Sequence, residues 1–221
     1  CKFLPAKRQT LLFSATFPGD IERLSKRLMK RPVRVEVDSE HDMTSIRQIL
    51  YEIPDKGARS TALLAVLQRH QPVSALVFCQ TKVLTEEIAA VLRDQGYMAL
   101  AINGDLDQKD RESRLVQFTN KSLTVLVATD VAARGLDIDS LDLVINYHLT
   151  KDPEVHTHRI GRTGRAGSTG LACSLYHSSE AYKLELIEGF TGQFLEPEPM
   201  PPFSTSNQPA QAPMVTLQID G

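Results

Sequence analysis

Residues 158–167, which read HRIGRTGRAG, form the cluster of side chains best suited to chemistry in this sequence. The cluster places His158, Arg159, Arg162 and Arg165 within eight residues and contains no acid. Like charges at this spacing repel one another, so we expect a negatively charged group to face them. Arginine donates N–H groups in pairs, which matches phosphate oxygens, and the intervening glycines let backbone approach the same ligand. The alternative is a solvated basic turn between a helix and a strand.

Four more motifs are spread along the chain. They read SAT at 14–16, VFCQT at 77–81, QKDR at 108–111 and ATDVAARGLDI at 128–138. Together with the basic cluster they resemble the motifs of the DEAD-box RNA helicases of superfamily 2, and the resemblance runs from residue 1 to about residue 195. It implies an enzyme that couples ATP binding and hydrolysis to RNA binding and local duplex unwinding.

The resemblance implies a nucleotide site shared between two domains. Arg162 and Arg165 match the family's arginine fingers and are expected to reach the γ-phosphate of ATP, with His158 beside them in catalysis. Asp137 is expected to contact the ATP ribose. The residues implied in coupling the domains are His158, Ser14 and Thr16. For the two hydroxyls, the alternative is local capping at a strand end.

The resemblance also implies a site for the RNA backbone. The residues expected to contact phosphate or sugar are Thr81, Gly104, Gln108, Arg111, Thr129 and Arg134. Thr81 suits a helix N-cap equally well, and Arg134 also suits a surface salt bridge. We interpret Asp130 as an N-cap, and Arg114 fits a solvated helix face. Asn103 receives no role.

Short apolar runs alternate with helical patterns and must position both sites. The predicted strands are 75–79, 98–102, 124–128, 143–146 and 171–176. The predicted helices are 61–69, 83–94, 109–118, 153–161 and 179–190, with a short one near 130. This alternation predicts an α/β fold with a parallel sheet and helices on both faces, and the resemblance implies that it is RecA-like. Ligands of such sheets lie beyond the carboxyl ends of the strands.

The chain is predicted to contain five segments. Residues 1–38 look like the end of a preceding RecA-like domain, with strands at 10–13 and 33–37 and a helix at 18–30. Residues 39–46 are predicted as a linker, 47–195 as the RecA-like helicase C-terminal domain, and 196–213 as a proline-rich, mostly disordered linker. Residues 214–221 suggest the first strand of a truncated RNA-binding domain. We expect the chain to be a piece of a longer protein, since it begins with Cys.

Residues 104–108, 152–156 and 214–221 resemble a bacterial branch of the family that acts in ribosome assembly. This implies large-subunit ribosomal RNA as the partner. The three cysteines are scattered, which indicates a reduced, cytoplasmic protein. No Cys/His spacing suits a metal, no apolar run reaches membrane-spanning length, and no feature indicates an oligomer.

Two family motifs are missing from the 221 residues. There is no G-x-x-x-x-G-K-[ST] phosphate loop and no Asp-Glu-Ala-Asp. The groups that cradle ATP and hold its Mg²⁺ are therefore expected outside this sequence, and the chain alone is expected to be inactive. One alternative is a non-catalytic RecA-like module that binds RNA or protein. Another is a DNA translocase of the same superfamily, although the wording of the motifs favours RNA.

Overall fold

A computed structural model of the protein describes residues 5, 7–14, 19–35, 45–134, 136, 138, 140–164 and 169–204. The chain divides into two compact units, residues 1–39 and residues 40–221. The predicted strand at 214–221 and residues 205–213 of the predicted linker lie outside the described residues.

Helix α1, Gly19–Leu28, is the regular element among the described residues of the first unit. Within it, Lys26 pairs with Glu22 at 2.7 Å. The predicted strands are wrong for residues 10–13 and 33–35, which form no strand. There Phe13 and Val33 are each 86% exposed. An extended apolar run becomes a strand only by pairing with another, and the described residues of this unit provide no partner.

The second unit is built on a seven-stranded sheet whose strand pairs are all parallel. The strands are β1 Ile46–Glu52, β2 Ala75–Phe78, β3 Ala99–Ile102, β4 Val125–Ala128, β5 Leu143–Asn146, β6 Gly170–Tyr176 and β7 Pro197–Glu198. Across the sheet their order is β3-β4-β2-β5-β6-β1-β7. The helices are α2 Arg59–His70, α3 Lys82–Asp94, α4 Gln108–Thr119, α5 Asp130–Ala133, α6 Pro153–Ile160 and α7 Ala181–Thr191.

Helices cover both faces of this sheet. Val77 of β2 packs into a cluster with residues of α2 and α3. Its neighbours Leu76 and Phe78 pack into a second cluster, with residues of α4, α5 and α6. Because both faces are buried, the strands are continuously apolar rather than alternating. The predicted α/β fold with a parallel, two-sided sheet is confirmed.

Strand β1 was not predicted from the sequence. Its second and third residues, Arg47 and Gln48, are polar and hide the apolar run that follows. Gln48 is nevertheless satisfied inside the fold, because its amide donates to Gln193 at 2.7 Å and its carbonyl lies 3.0 Å from Nε2 of His156. The predicted linker at 39–46 extends too far, since Ile46 already pairs with Gly170.

Residues 196–204, which we call the strap, follow α7 and run along the sheet edge. The strap includes β7, which pairs with β1. Met200 and Phe203 pack against the cluster under α2, and the Gln68 side chain exchanges two hydrogen bonds with the Ser204 backbone, at 2.9 and 3.0 Å. Proline suits such an edge strand because it has no N–H to leave unpaired. The predicted disorder is therefore wrong for these nine residues.

Strand β3 is the edge strand on the side of the sheet away from β7, and arginine side chains cover it. Arg93 donates to the Ala99 carbonyl at 3.1 Å, and Arg114 donates to the Ala101 carbonyl at 2.5 Å. The interpretation of Arg114 as a solvated helix face is wrong. Capped carbonyls on an edge strand no longer offer acceptors to another chain.

Candidate functional site

Two predicted site residues, Thr81 and Thr129, cap helices at the carboxyl ends of the strands, which we call the carboxyl edge of the sheet. Thr81 follows β2 and its hydroxyl oxygen accepts from the Leu84 N–H at 3.2 Å, at the start of α3. Thr129 follows β4 and accepts from the Ala132 N–H at 3.3 Å. The capping interpretation of Thr81 is thus confirmed. A capping hydroxyl keeps its own O–H, so each can still donate to a phosphate oxygen.

Arg111 links the helix that follows β3 to the turn that follows β4. Its helix, α4, follows β3 and begins with Asp107 as N-cap, whose carboxylate accepts from Asp110 N–H at 2.7 Å. Arg111 reaches across and donates to the Ala132 carbonyl at 2.6 Å. Gln108 is exposed, and its amide donates to Glu112 on its own helix at 2.7 Å. The structure therefore brings Arg111 beside the Thr129 turn, with Gln108 on the exposed start of α4.

Gly104 lies exposed in the turn between β3 and α4. A Cβ atom at this position would meet only the end of the Lys82 side chain, at 3.5 and 3.6 Å. Packing within the chain therefore does not require glycine there, and its backbone stays accessible from solvent. Lys82 pairs with Asp105 at the same place. Asn103, beneath the turn, is 4% exposed and holds it by accepting from Asp105 N–H at 3.0 Å.

Arg134 ends α5 and is exposed. Its guanidinium makes no hydrogen bond or ion pair with any residue that the structure describes, so the alternative of a surface salt bridge finds no partner within those ranges. Acids also lie along this edge, at 105, 107, 110 and 112. A phosphate here would thus depend on a few placed donors rather than on a broad positive field.

Asp130 does not cap α5, which corrects the prediction, because Thr129 holds that position. Instead, both carboxylate oxygens of Asp130 accept from Arg159, at 2.6 and 2.8 Å. Arg159 is 3% exposed. One arginine of the basic cluster therefore has its negative partner inside the protein, not on a ligand.

Arg159 makes further contacts at the carboxyl ends of the strands. It donates to Asn146 Oδ1 at 3.1 Å and to the His148 carbonyl at 2.9 Å, and its guanidinium lies 5.1 Å from the centre of the Phe78 ring. The sequence assigned it no separate role. The signal was present, since positions 156, 159 and 160 form one face of α6 and all three are buried.

Residues after α6 lie at the amino ends of the strands, which we call the amino edge of the sheet. Thr163 forms a bridge with Leu141, two residues before β5, and accepts from the Leu171 N–H at 3.3 Å. Gly164 has φ +69°, and a Cβ there would lie 2.8 Å from Ile46 Cγ1. A Cβ on Gly170 would lie 2.4 Å from the Gly164 nitrogen. Gly164 therefore allows close approach between chain segments, a packing role that the sequence did not reveal.

Arg162 lies at this second edge, half-buried, and donates to the Leu136 carbonyl at 3.2 Å. Arg162 is thus separated from Thr81, Gly104, Arg111 and Thr129, which lie at the carboxyl edge. His158 is exposed on α6, and Ser14 is exposed in the first unit. Asp137, Arg165 and Thr16 lie outside the described residues.

Two histidines near Arg159 are uncharged at neutral pH. Burial lowers the pKa of His156 to about 4, and the nearby Arg159 charge adds to this shift. Burial also lowers the pKa of His148 to about 4, with a contribution from Arg59. Neither histidine therefore adds positive charge to the site at pH 7.

A second buried arginine, Arg59, was also missed from the sequence. It is 2% exposed and donates to Glu180 at 2.5 Å and to the carbonyls of Tyr147 and Leu175 at 2.6 and 2.9 Å. Lys183 donates to the other oxygen of Glu180 at 2.8 Å. The network joins α2 to α7 and the turn before it, and it contacts none of the predicted site residues that the structure describes.

The described residues contain no group of three or more potential metal ligands. Within those ranges no helix has the length and apolar character needed to cross a bilayer.

Residues 58–167 match the family model described as the helicase conserved C-terminal domain. Over 220 residues the chain is 47% identical to the ATP-dependent RNA helicase DbpA of Escherichia coli, covering 100% of this chain and 48% of that protein. It thus spans about half the length of the curated relatives it matches.

Two solved structures extend the similarity to the fold. The E. coli DEAD-box protein SrmB, bound to regulator of ribonuclease activity A, aligns with a TM-score of 0.64 at 31% identity, covering 70% of this chain and 89% of that one. Dbp5 of S. cerevisiae, bound to RNA and ADP BeF3, aligns with a TM-score of 0.81 at 28% identity, covering 90% of this chain and 53% of that one. The chain therefore belongs to the DEAD-box family of RNA helicases.

Proposed function

We propose that this chain is the C-terminal RecA-like part of an ATP-dependent RNA helicase, and that it holds RNA along the carboxyl edge of its sheet. The observation that carries the proposal is the row of three strand ends bearing Thr81, Gly104 and Thr129, with Arg111 bridging two of them. Hydroxyls, an exposed glycine backbone and guanidinium groups suit phosphate and sugar. They do not read base edges, so binding would be largely independent of sequence.

The nucleotide would lie at the other edge. Arg162 and Arg165 would stabilise charge on the γ-phosphate, Asp137 would contact the ribose, and His158 with Ser14 and Thr16 would couple this site to the preceding domain. Phosphoryl transfer depends mainly on positioning and charge stabilisation, which arginine supplies. The phosphate cradle and the Mg²⁺ ligands are absent from the 221 residues, so we propose that another part of the protein supplies them.

The similarity to DbpA supports a finer proposal, that the RNA is large-subunit ribosomal RNA and the setting is ribosome assembly in the cytoplasm. Its basis is the resemblance of residues 104–108 and 152–156 to that branch. A non-catalytic module and a DNA translocase stay as the alternatives.

The test compares ATP hydrolysis by the full-length protein with single-stranded RNA and with DNA of the same sequence. We expect stimulation by RNA and much less by DNA, whereas the 221-residue chain alone should not hydrolyse ATP. Equal stimulation by DNA would support the translocase, and steady hydrolysis by the chain alone would contradict the division of the nucleotide site.

A further inference from the structure

The segment from Asp130 to Leu136 is held at both ends by α6 and the turn after it. Arg159 binds the carboxylate of Asp130, one residue after the Thr129 cap. Arg162 binds the carbonyl of Leu136 at the far end. The two arginines are themselves joined, since the Arg162 N–H donates to the Arg159 carbonyl at 3.1 Å.

This arrangement spans the sheet. Helix α6 returns antiparallel to the strands, and side chains on a helix tilt toward its N-terminus. Arg159 therefore reaches toward the carboxyl edge, while Arg162 lies at the amino edge, beside Leu136. A displacement at one edge must move the other or break a buried charged contact.

We propose that Arg159 is a positioning residue that joins the turn at Thr129 to the turn at Arg162, so that RNA binding at one edge orders the arginine finger at the other. This inference rests on the proposed function. Asp130 accepts from Nε and one Nη of Arg159, and a paired contact of this kind fixes orientation as well as distance. Lysine would retain the charge but not the orientation.

Arg59 provides a matched control. Like Arg159 it is buried, pairs with a carboxylate, donates to backbone carbonyls and lies over an aromatic ring, at 5.8 Å from the Tyr147 centroid. Among the described residues, it contacts neither Asp130 nor any predicted site residue. Arg59→Lys should therefore disturb folding to a similar degree without touching the link between the two edges.

The experiment measures ATP hydrolysis by the full-length protein against the concentration of a single-stranded RNA, with melting temperature measured in parallel. We expect Arg159→Lys to raise the RNA concentration for half-maximal stimulation by about ten-fold and to lower the RNA-saturated rate. Arg59→Lys should change either quantity by less than about two-fold at a comparable loss of melting temperature. Asp130→Asn, which keeps the shape, should act in the same direction as Arg159→Lys, and the double variant should be no worse than the more impaired single variant.

Three outcomes would overturn the inference. If Arg159→Lys and Arg59→Lys change RNA stimulation equally, Arg159 has only a structural role. If the effects of Arg159→Lys and Asp130→Asn multiply in the double variant, the two residues act independently. If the wild-type protein shows no RNA stimulation at all, the proposed function fails, and the inference fails with it. Should Arg159→Lys not fold, the comparison of Asp130→Asn with Arg59→Lys decides the matter in the same way.

Discussion

Three glycines of the second unit separate the cost of backbone strain from the cost of a clash. Gly164 and Gly192 have almost the same positive φ, +69° and +68°. A Cβ at Gly192 would meet nothing within 4 Å, whereas at Gly164 it would meet Ile46 Cγ1 at 2.8 Å and Ser45 Oγ at 3.2 Å. Gly189 lies within helix α7 and also has open space around it.

The expected changes in the free energy of unfolding follow from these environments. Gly189→Ala should stabilise the chain by ~1 kcal/mol, because alanine favours a helix. Gly192→Ala should destabilise it by ~1 kcal/mol, since an alanine in the left-handed region costs ~1–2 kcal/mol and a stiffer unfolded chain offsets part of that. Gly164→Ala carries the same backbone cost and also a clash worth ~1–3 kcal/mol, for a total loss of ~2–4 kcal/mol.

Urea unfolding of the chain, followed by circular dichroism at 222 nm, measures all three variants against the wild type. Tryptophan fluorescence is not an option, because the sequence contains none. The order of stability should be Gly189→Ala, wild type, Gly192→Ala, Gly164→Ala, at an unchanged slope against urea. If Gly164→Ala is no less stable than Gly192→Ala, the side chain of Ile46 in β1 can move away from the added Cβ without lowering the free energy of unfolding. The turn at Thr163 and Gly164 is then not packed against the sheet as we describe.

Further predictions concern the two edges and one buried carboxylate. Arg162→Ala in the full-length protein should lower kcat for ATP by roughly 10³-fold, with a smaller loss of RNA affinity; a rate within a few-fold of wild type would remove Arg162 from the nucleotide site. Arg111→Ala should weaken binding equally for two unrelated RNA strands and reduce the slope of log K against log salt by about 0.7, and loss for only one strand would mean that Arg111 reads bases. Burial raises the pKa of Glu180, but hydrogen bonds from Lys183 and Arg59 outweigh it and lower the pKa to about 2, from 4.5. Because this folded-state pKa is depressed, Glu180 contributes up to ~3 kcal/mol of stability above pH 4.5, which is lost as the pH falls toward 2. In a series of urea titrations, stability of Glu180→Gln should therefore fall by ~3 kcal/mol less than that of the wild type over this window.

The sheet was predictable because most of its strands are buried on both faces. A run such as 125–128 contains only apolar residues, and its length excludes most helices. Strand β1 escaped notice because the polar residues Arg47 and Gln48 interrupt its pattern, and Gln48 is satisfied by partners 108 and 145 residues away. Long-range pairing of this kind leaves no local signal.

The separation of Arg162 from the predicted site residues at the carboxyl edge also could not be predicted from spacing. The sequence placed all ligands beyond the carboxyl ends of strands, which fits Thr81 and Thr129. Arg162 lies at the amino edge because α6 carries the chain back across the sheet before the turn begins. The motif alone also does not reveal that Arg159 is buried against Asp130 whereas the neighbouring His158 is exposed.

The strap limits how far a segment that follows residue 204 can move from the second unit. The predicted linker 196–213 has eighteen residues, and the strap fixes nine of them to the second unit. An extended chain covers at most ~3.4 Å per residue, so the reach of the tether falls by up to ~30 Å. The local concentration of a tethered partner varies roughly as the −3/2 power of tether length, and halving the tether raises that concentration about three-fold. Whatever follows residue 204 therefore starts from a fixed point next to Gln68, and its local concentration near the second unit is higher than the proline-rich composition alone would suggest.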